Sequence, residues 1–227
     1  MGRLNEWSQG AGPWYPDAST RGERLRRIAT VLVAVALLVP VPATAGTAEV
    51  AIHDHYYSPF SQRVAVGESV NWSRAAGSIG FHNIREDGRL FWSGRSTGDP
   101  IDYTVIFSAG TFHYYCSTHG YPLEVDEEGM EGLIRVPVAI VQAPPGLPFT
   151  VRWATDASET GTAYDVQFRV GPGRWRTWKK DATNNRGVFG RDGNPVRVRR
   201  GTRYAFRARS QDGPNASLWS PVASFTP

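Results

Sequence analysis

The chain has 227 residues, 41% of them hydrophobic and 20% charged, with a formal net charge of +4, five histidines and a single cysteine. One cysteine excludes an internal disulfide, so the fold must be held by core burial, or partly by a metal. HExxH and paired CxxC motifs are missing, which removes the common constellations of metal-assisted hydrolysis and dithiol chemistry. We therefore expect a protein that is not an enzyme.

Read from the N-terminus, residues 21–27, "RGERLRR", are basic, and Ile28 to Val39 form an apolar run. "PVPATAG" follows, with Ala43-Thr44-Ala45 fitting a small-x-small cleavage site. Basic, apolar and small-residue regions in that order read as a secretory signal peptide over residues 1–45. The apolar run is shorter than the roughly 20 residues that span a bilayer. Cleavage near Ala45 is expected, giving a secreted or periplasmic mature chain with no integral membrane segment. An uncleaved N-terminal anchor is the alternative. Arg26-Arg27 could belong to a twin-arginine signal, although Ala29 and Thr30 stand where that motif wants an apolar pair.

Beyond the signal the charge splits. Gly46 to Val136 carries six Lys and Arg against twelve Asp and Glu, whereas Pro137 to Pro227 carries fourteen against six. The break coincides with "VPVAIVQAPPGLP", whose prolines and apolar residues suggest a stiff joint. Two domains are expected, over residues 46–138 and 143–227. In both, short alternating segments rich in β-branched and aromatic residues are bounded by Gly, Pro, Asn or Ser. Examples are "RVAVGESVNW", "DYTVIFSAG" and "GLIRV" in the first half, then "FTVRWATD" and "AYDVQFRVG" in the second. Such spacing predicts an all-β chain of two β-sandwiches in tandem.

The lone cysteine stands in "YYCSTHG", where Cys116 ends a predicted strand and His119 lies in the following turn. Two intervening residues let a tight loop aim both at one point. Met130 can reach that point if the chain folds back before "GLIRV", and "IGFHNI" supplies His82, followed by Asn83. A thiolate, two imidazoles and a distant thioether are the ligand set of a blue-copper centre. The plainer alternatives are that Cys116 is a small buried apolar residue and that Met130 is core packing. His53 and His55, two apart, could hold a second metal or be solvated edge histidines. His113 is out of phase with Cys116 and is expected to point away from it.

Residues 46–136 resemble a cupredoxin of the plastocyanin/pseudoazurin type. The likeness is carried by "VAIHDHYYSPFSQRVAVGESVNW", "FHN", "SAGTFHYYCSTH" and "GMEGLIRV". It implies an eight-stranded Greek-key sandwich holding one type 1 copper through His82, Cys116, His119 and, axially, Met130. It also implies that the Asn83 amide ties the two ligand-bearing loops together, ordinary turn chemistry being the alternative. The sequence departs from the family in one respect. Ten residues, "GYPLEVDEEG", separate His119 from Met130 where the family has only a few, which leaves the reach of Met130 open. The insertion is acidic, with Glu124, Asp126, Glu127 and Glu128.

Residues 143–227 resemble a fibronectin type III module through "PPG", Trp153, "AYDVQFRV", "GRWRTW" and "GTRYAFRARSQDGPNASLWSPVASF". Tyr204 matches that family's tyrosine corner, and Trp153, Tyr204 and Trp219 are expected in the core. The alternating Arg and Trp residues can form a structural cation–π stack or an adhesive face for an anionic polymer or protein. Nucleic acid is not expected as a partner, given export and the acidic first half. The function expected is an exported one-electron carrier with a basic redox partner and a localising second module. The alternative is copper sequestration or delivery, or surface adhesion, with a metal site that does not cycle.

Overall fold

The computed structural model describes residues 46–125, 129–191 and 196–227. The expected signal peptide and residues Asp126, Glu127 and Glu128 of the insertion lie outside them. Every regular element among the described residues is a strand, and none is a helix long and apolar enough to cross a membrane. The fold is all-β, two sandwiches in tandem.

The first sandwich comprises β1 (Thr47–Ile52), β2 (Tyr57–Ser58), β3 (Ser61–Arg63), β4 (Ser69–Arg74), β5 (Arg85–Glu86), β6 (Asp102–Ile106), β7 (Gly110–Tyr115) and β8 (Glu131–Val136). One sheet has the order β2-β1-β4-β6 and the other β3-β8-β7-β5. β1 runs parallel to β4, with Val50 opposite Trp72, and β3 runs parallel to β8; the other neighbours are antiparallel. The chain changes sheets after β2 and sets β3 against β8, its last strand here, which is a Greek-key return.

Period-two alternation decides what is buried. Val50 and Ile52, Val70 and Trp72, Phe112 and Tyr114, and Ile134 and Val136 all face the space between the sheets. Trp72 is fully buried, and its ring lies 5.3 to 6.2 Å from those of Phe91, Tyr103, Phe107 and Tyr114. Each large side chain buried this way contributes about 2 kcal/mol, and a core of this size stands in for the absent disulfide.

The second sandwich comprises β9 (Ala139–Val141), β10 (Phe149–Arg152), β11 (Ala163–Val170), β12 (Arg176–Ala182), β13 (Arg186–Phe189), β14 (Tyr204–Asp212), β15 (Asn215–Ala216) and β16 (Ala223–Phe225). Its sheets are β13-β10-β9 and β12-β11-β14, with β15 and β16 both pairing to β14. Part of the "VPVAIVQAPPGLP" joint is therefore a strand of this sandwich. Phe149, Val151, Trp153, Phe168, Phe189 and Phe206 fill the core. The Tyr204 hydroxyl accepts from Arg199 N at 2.9 Å and donates to Arg197 O at 3.4 Å, the upstream backbone tie of a tyrosine corner.

Trp219 is not in this core, contrary to the sequence expectation. On β14, Phe206 and Ala208 point inward while Arg207 and Arg209 point outward. Trp219 lies on the outward side, half-buried, with those two guanidinium groups 4.6 and 5.0 Å from its ring. Arg169 and Arg207 lie 4.8 and 4.5 Å from the Trp175 ring, extending the stack. Arg209 also pairs with Asp165 at 2.8 Å. Arg169, Arg207 and Arg209 are thus committed to packing.

The two sandwiches meet along the β6–β7 connection. Ile106 N donates to Glu159 Oε2 and Glu159 N to Ile106 O, at 2.8 and 2.9 Å. The buried Ser108 hydroxyl lies 2.7 Å from Thr160 Oγ1 and 2.6 Å from Ser210 Oγ. Thr111 and Leu218 exchange backbone hydrogen bonds of 3.0 Å. The described residues form one compact unit.

Candidate metal centre

Phe112, Tyr114 and Cys116 continue one inward phase along and just beyond β7, and so the thiol is fully buried. The Cys116 carbonyl then accepts from His119 N at 3.1 Å and Gly120 N at 2.8 Å. That turn folds the His119 ring back over the sulfur. His82 arrives on a separate loop, held by paired backbone bonds with Thr97 of 3.0 Å each. Cys116 Sγ lies 4.0 Å from His82 Nδ1 and 3.6 Å from His119 Nδ1.

These three are the one group of metal-ligating side chains found among the described residues, their ligand atoms all within 4.8 Å of one another. A trigonal ion with sulfur and nitrogen bonds of about 2.3 and 2.0 Å would hold sulfur and nitrogen about 3.7 Å apart. The observed separations bracket that value, so the donor set fits a metal. Burial, followed by the nearness of His119, lowers the pKa of His82 against an opposing pull from Asp54, which favours the neutral imidazole a metal needs.

Met130 is 1% exposed and belongs to the same core cluster as Cys116. Its carbonyl accepts from Cys116 N at 3.0 Å and its N–H donates to His119 O at 2.9 Å. The reason it sits here despite the insertion is a pinched neck. A Cβ on Gly129 would come 2.7 Å from Gly120 Cα, and one on Gly120 would fall onto the Met130 carbonyl. The two glycines let the ends of the insertion close on each other, so the chain leaves and re-enters at nearly one place.

Asn83 ties the loops together as the family likeness implied. Its Oδ1 accepts from Ser117 N at 2.8 Å and from the Ser117 hydroxyl at 3.1 Å, while Nδ2 donates to Gly94 O at 2.8 Å. Tyr57 donates to Asn83 O at 2.5 Å.

No protein-family profile and no curated protein matches the sequence. Among solved structures, amicyanin from Paracoccus versutus aligns at 24% identity over 43% of this chain and 85% of that one, with a TM-score of 0.31. The blue copper oxidase from Nitrosomonas europaea aligns at 12% identity over 80% of this chain and 85% of that one, with a TM-score of 0.30. Chicken CNTN1 domains FN1–FN3 align at 8% identity over 74% of this chain and 63% of that one, at 0.29. All three scores are below 0.5, and the fold description rests on the strand pairing above.

Three histidines stand outside the group. His53 and His55 follow β1 in a turn closed by His53 N to Tyr56 O at 3.0 Å, so they do not share a strand face. His53 stacks on Tyr56, and His55 meets the His119 ring edge-on at 5.8 Å. His113 points to the outer face of its sheet, its two nitrogens 2.8 Å from Asp87 and 2.9 Å from Glu131. Sequence reasoning missed Asp54, between His53 and His55, whose carboxylate lies 3.6 Å from His82 Nε2. The available signal was an aspartate in a turn, which by itself names no partner.

Proposed function

We propose that this is an exported blue-copper protein that passes single electrons, with His82, Cys116 and His119 as copper ligands and Met130 as the weak axial one. The observation that carries the reading is the convergence of one buried thiol and two Nδ1 atoms within 4.0 Å of it. Soft sulfur with two imidazoles suits copper in both oxidation states, and a bound ion would supply a one-electron couple. His82 and Cys116, fully buried, keep water from the site, while the half-buried His119 offers a route to the surface.

Phe81, next to His82 in sequence, is 63% exposed and Tyr121, two residues after His119, is 40% exposed, and the insertion after His119 carries Glu124, Asp126, Glu127 and Glu128. A basic redox partner fits that acidic surroundings. The second sandwich would localise the copper domain, its remaining exposed cations meeting an anionic polymer or protein. The molecule acts as a carrier and catalyses no bond chemistry of its own.

The test is to add Cu(II) to the purified mature chain and record its visible spectrum. An intense thiolate-to-copper charge-transfer band is expected, absent in Cys116→Ser. A folded wild-type chain without the band would sink the blue-copper reading. A band without reversible redox cycling would favour sequestration over electron transfer.

A further inference from the structure

The outer nitrogen of His82 has an unusual setting. The ring is fully buried, Nδ1 faces the thiol, and Nε2 has no hydrogen-bond partner within normal reach. The polar group beside it is Asp54 Oδ1, at 3.6 Å. With no partner in normal reach, the buried ring nitrogen has the Asp54 carboxylate as the group placed to hold its proton.

Asp54 is held firmly. Its Oδ1 accepts from the Ser78 hydroxyl at 2.7 Å, Ile79 N at 2.8 Å and Gly80 N at 3.1 Å. Arg74 grips the same segment through its carbonyls, donating to Gly80 O at 2.8 Å and, beside it, to Thr97 O at 2.8 Å. Gly80 allows the close approach, because a Cβ there would stand 2.6 Å from His82 Nε2. The carboxylate is thus fixed against the ring by a loop that is itself fixed.

We infer that Asp54 is a positioning residue for His82: it holds the imidazole with its proton on Nε2, leaves Nδ1 free as a donor, and biases a bound ion toward its more oxidised state. A metal-bound histidine whose other nitrogen faces a carboxylate becomes a more basic ligand, and loss of such a partner typically costs about 10- to 100-fold in affinity. The metal half of this inference rests on the copper reading; the tautomer half does not.

Asp54→Asn is the informative variant, because its amide oxygen can still accept from Ser78, Ile79 and Gly80 while the charge is gone. Asp54→Ala removes both. In the metal-free protein, nitrogen NMR should find His82 protonated on Nε2 in wild type and Asp54→Asn, and redistributed between nitrogens in Asp54→Ala. After copper loading, Asp54→Asn should keep its metal and show an upward shift in reduction potential, and Asp54→Ala should bind roughly 10-fold or more weakly. A wild-type His82 protonated on Nδ1 would overturn the inference without any metal present. An unchanged potential in Asp54→Asn would reduce Asp54 to a loop anchor. A wild type that binds no copper would sink the proposed function and leave the tautomer result standing.

Discussion

Glu86 is 2% exposed and accepts from Leu90 N at 2.9 Å through one carboxylate oxygen. Burial is the largest influence on it, outweighs the backbone hydrogen bonds that favour ionisation, and pushes its pKa up to about 7 from 4.5. The folded chain therefore holds a proton that the unfolded chain has already released. Stability should fall as pH rises from about 4.5 to about 7, because the folded state binds more protons across that window. Glu86→Gln keeps an acceptor for Leu90 and removes the titration. It should be more stable than wild type at pH 8 by up to about 3 kcal/mol, and equal to it near pH 4, as read from urea midpoints. His113 shows how far strand phase alone can be read. That it points away from Cys116 follows from counting residues along β7, whereas its clamp between Asp87 and Glu131 depends on residues 26 and 18 positions away. The meeting of Asp54 with His82 was hidden for the same reason, since it is set by two loops and no local pattern encodes it.

Strand positions were legible wherever one face is buried and the other is not. "RVAVGESVNW" and "GLIRV" alternate, and both supply strands whose apolar residues face the core. The element that defied a sequence reading was the insertion after His119, since ten extra residues suggest a displaced Met130. Its flanking glycines bring the Met130 backbone beside His119, a role visible only when both ends are seen to touch. Gly120→Ala tests this. Its Cβ would meet Met130 backbone, which cannot swing aside, and the cost should be about 2 kcal/mol in a denaturant melt. The visible band of the copper-loaded protein should shift or broaden, because the strain falls on the two residues that bracket the site. Trp219 was misjudged for a related reason. Indole beside a strand reads as core, but outward arginines on β14 offer it an equally good cationic face.

The charge asymmetry between the halves was plain in composition. What composition could not give was the hydroxyl network across the boundary. Ser108, Thr160 and Ser210 satisfy one another in the dry seam between the sandwiches, and Ser210 also donates to Ala109 O at 3.0 Å. Ser108→Val would take one partner each from Thr160 and Ser210, which keep Ser108 N and Ala109 O, at a cost of about 1 kcal/mol. Because the seam belongs to both halves, hydrogen exchange should speed up together in the Trp72 core and the Trp153 core. A loss confined to one of them would mean that the halves open independently. A seam closed by backbone and hydroxyl bonds also has a mechanical meaning. Were the basic half anchored as proposed, the histidine-bearing tip would be presented to the proposed redox partner at a single fixed tilt. Encounter would then be governed by where the molecule is mounted, as with a lamp on a bracket, and lengthening the connection should change its reach very little unless the seam is broken first.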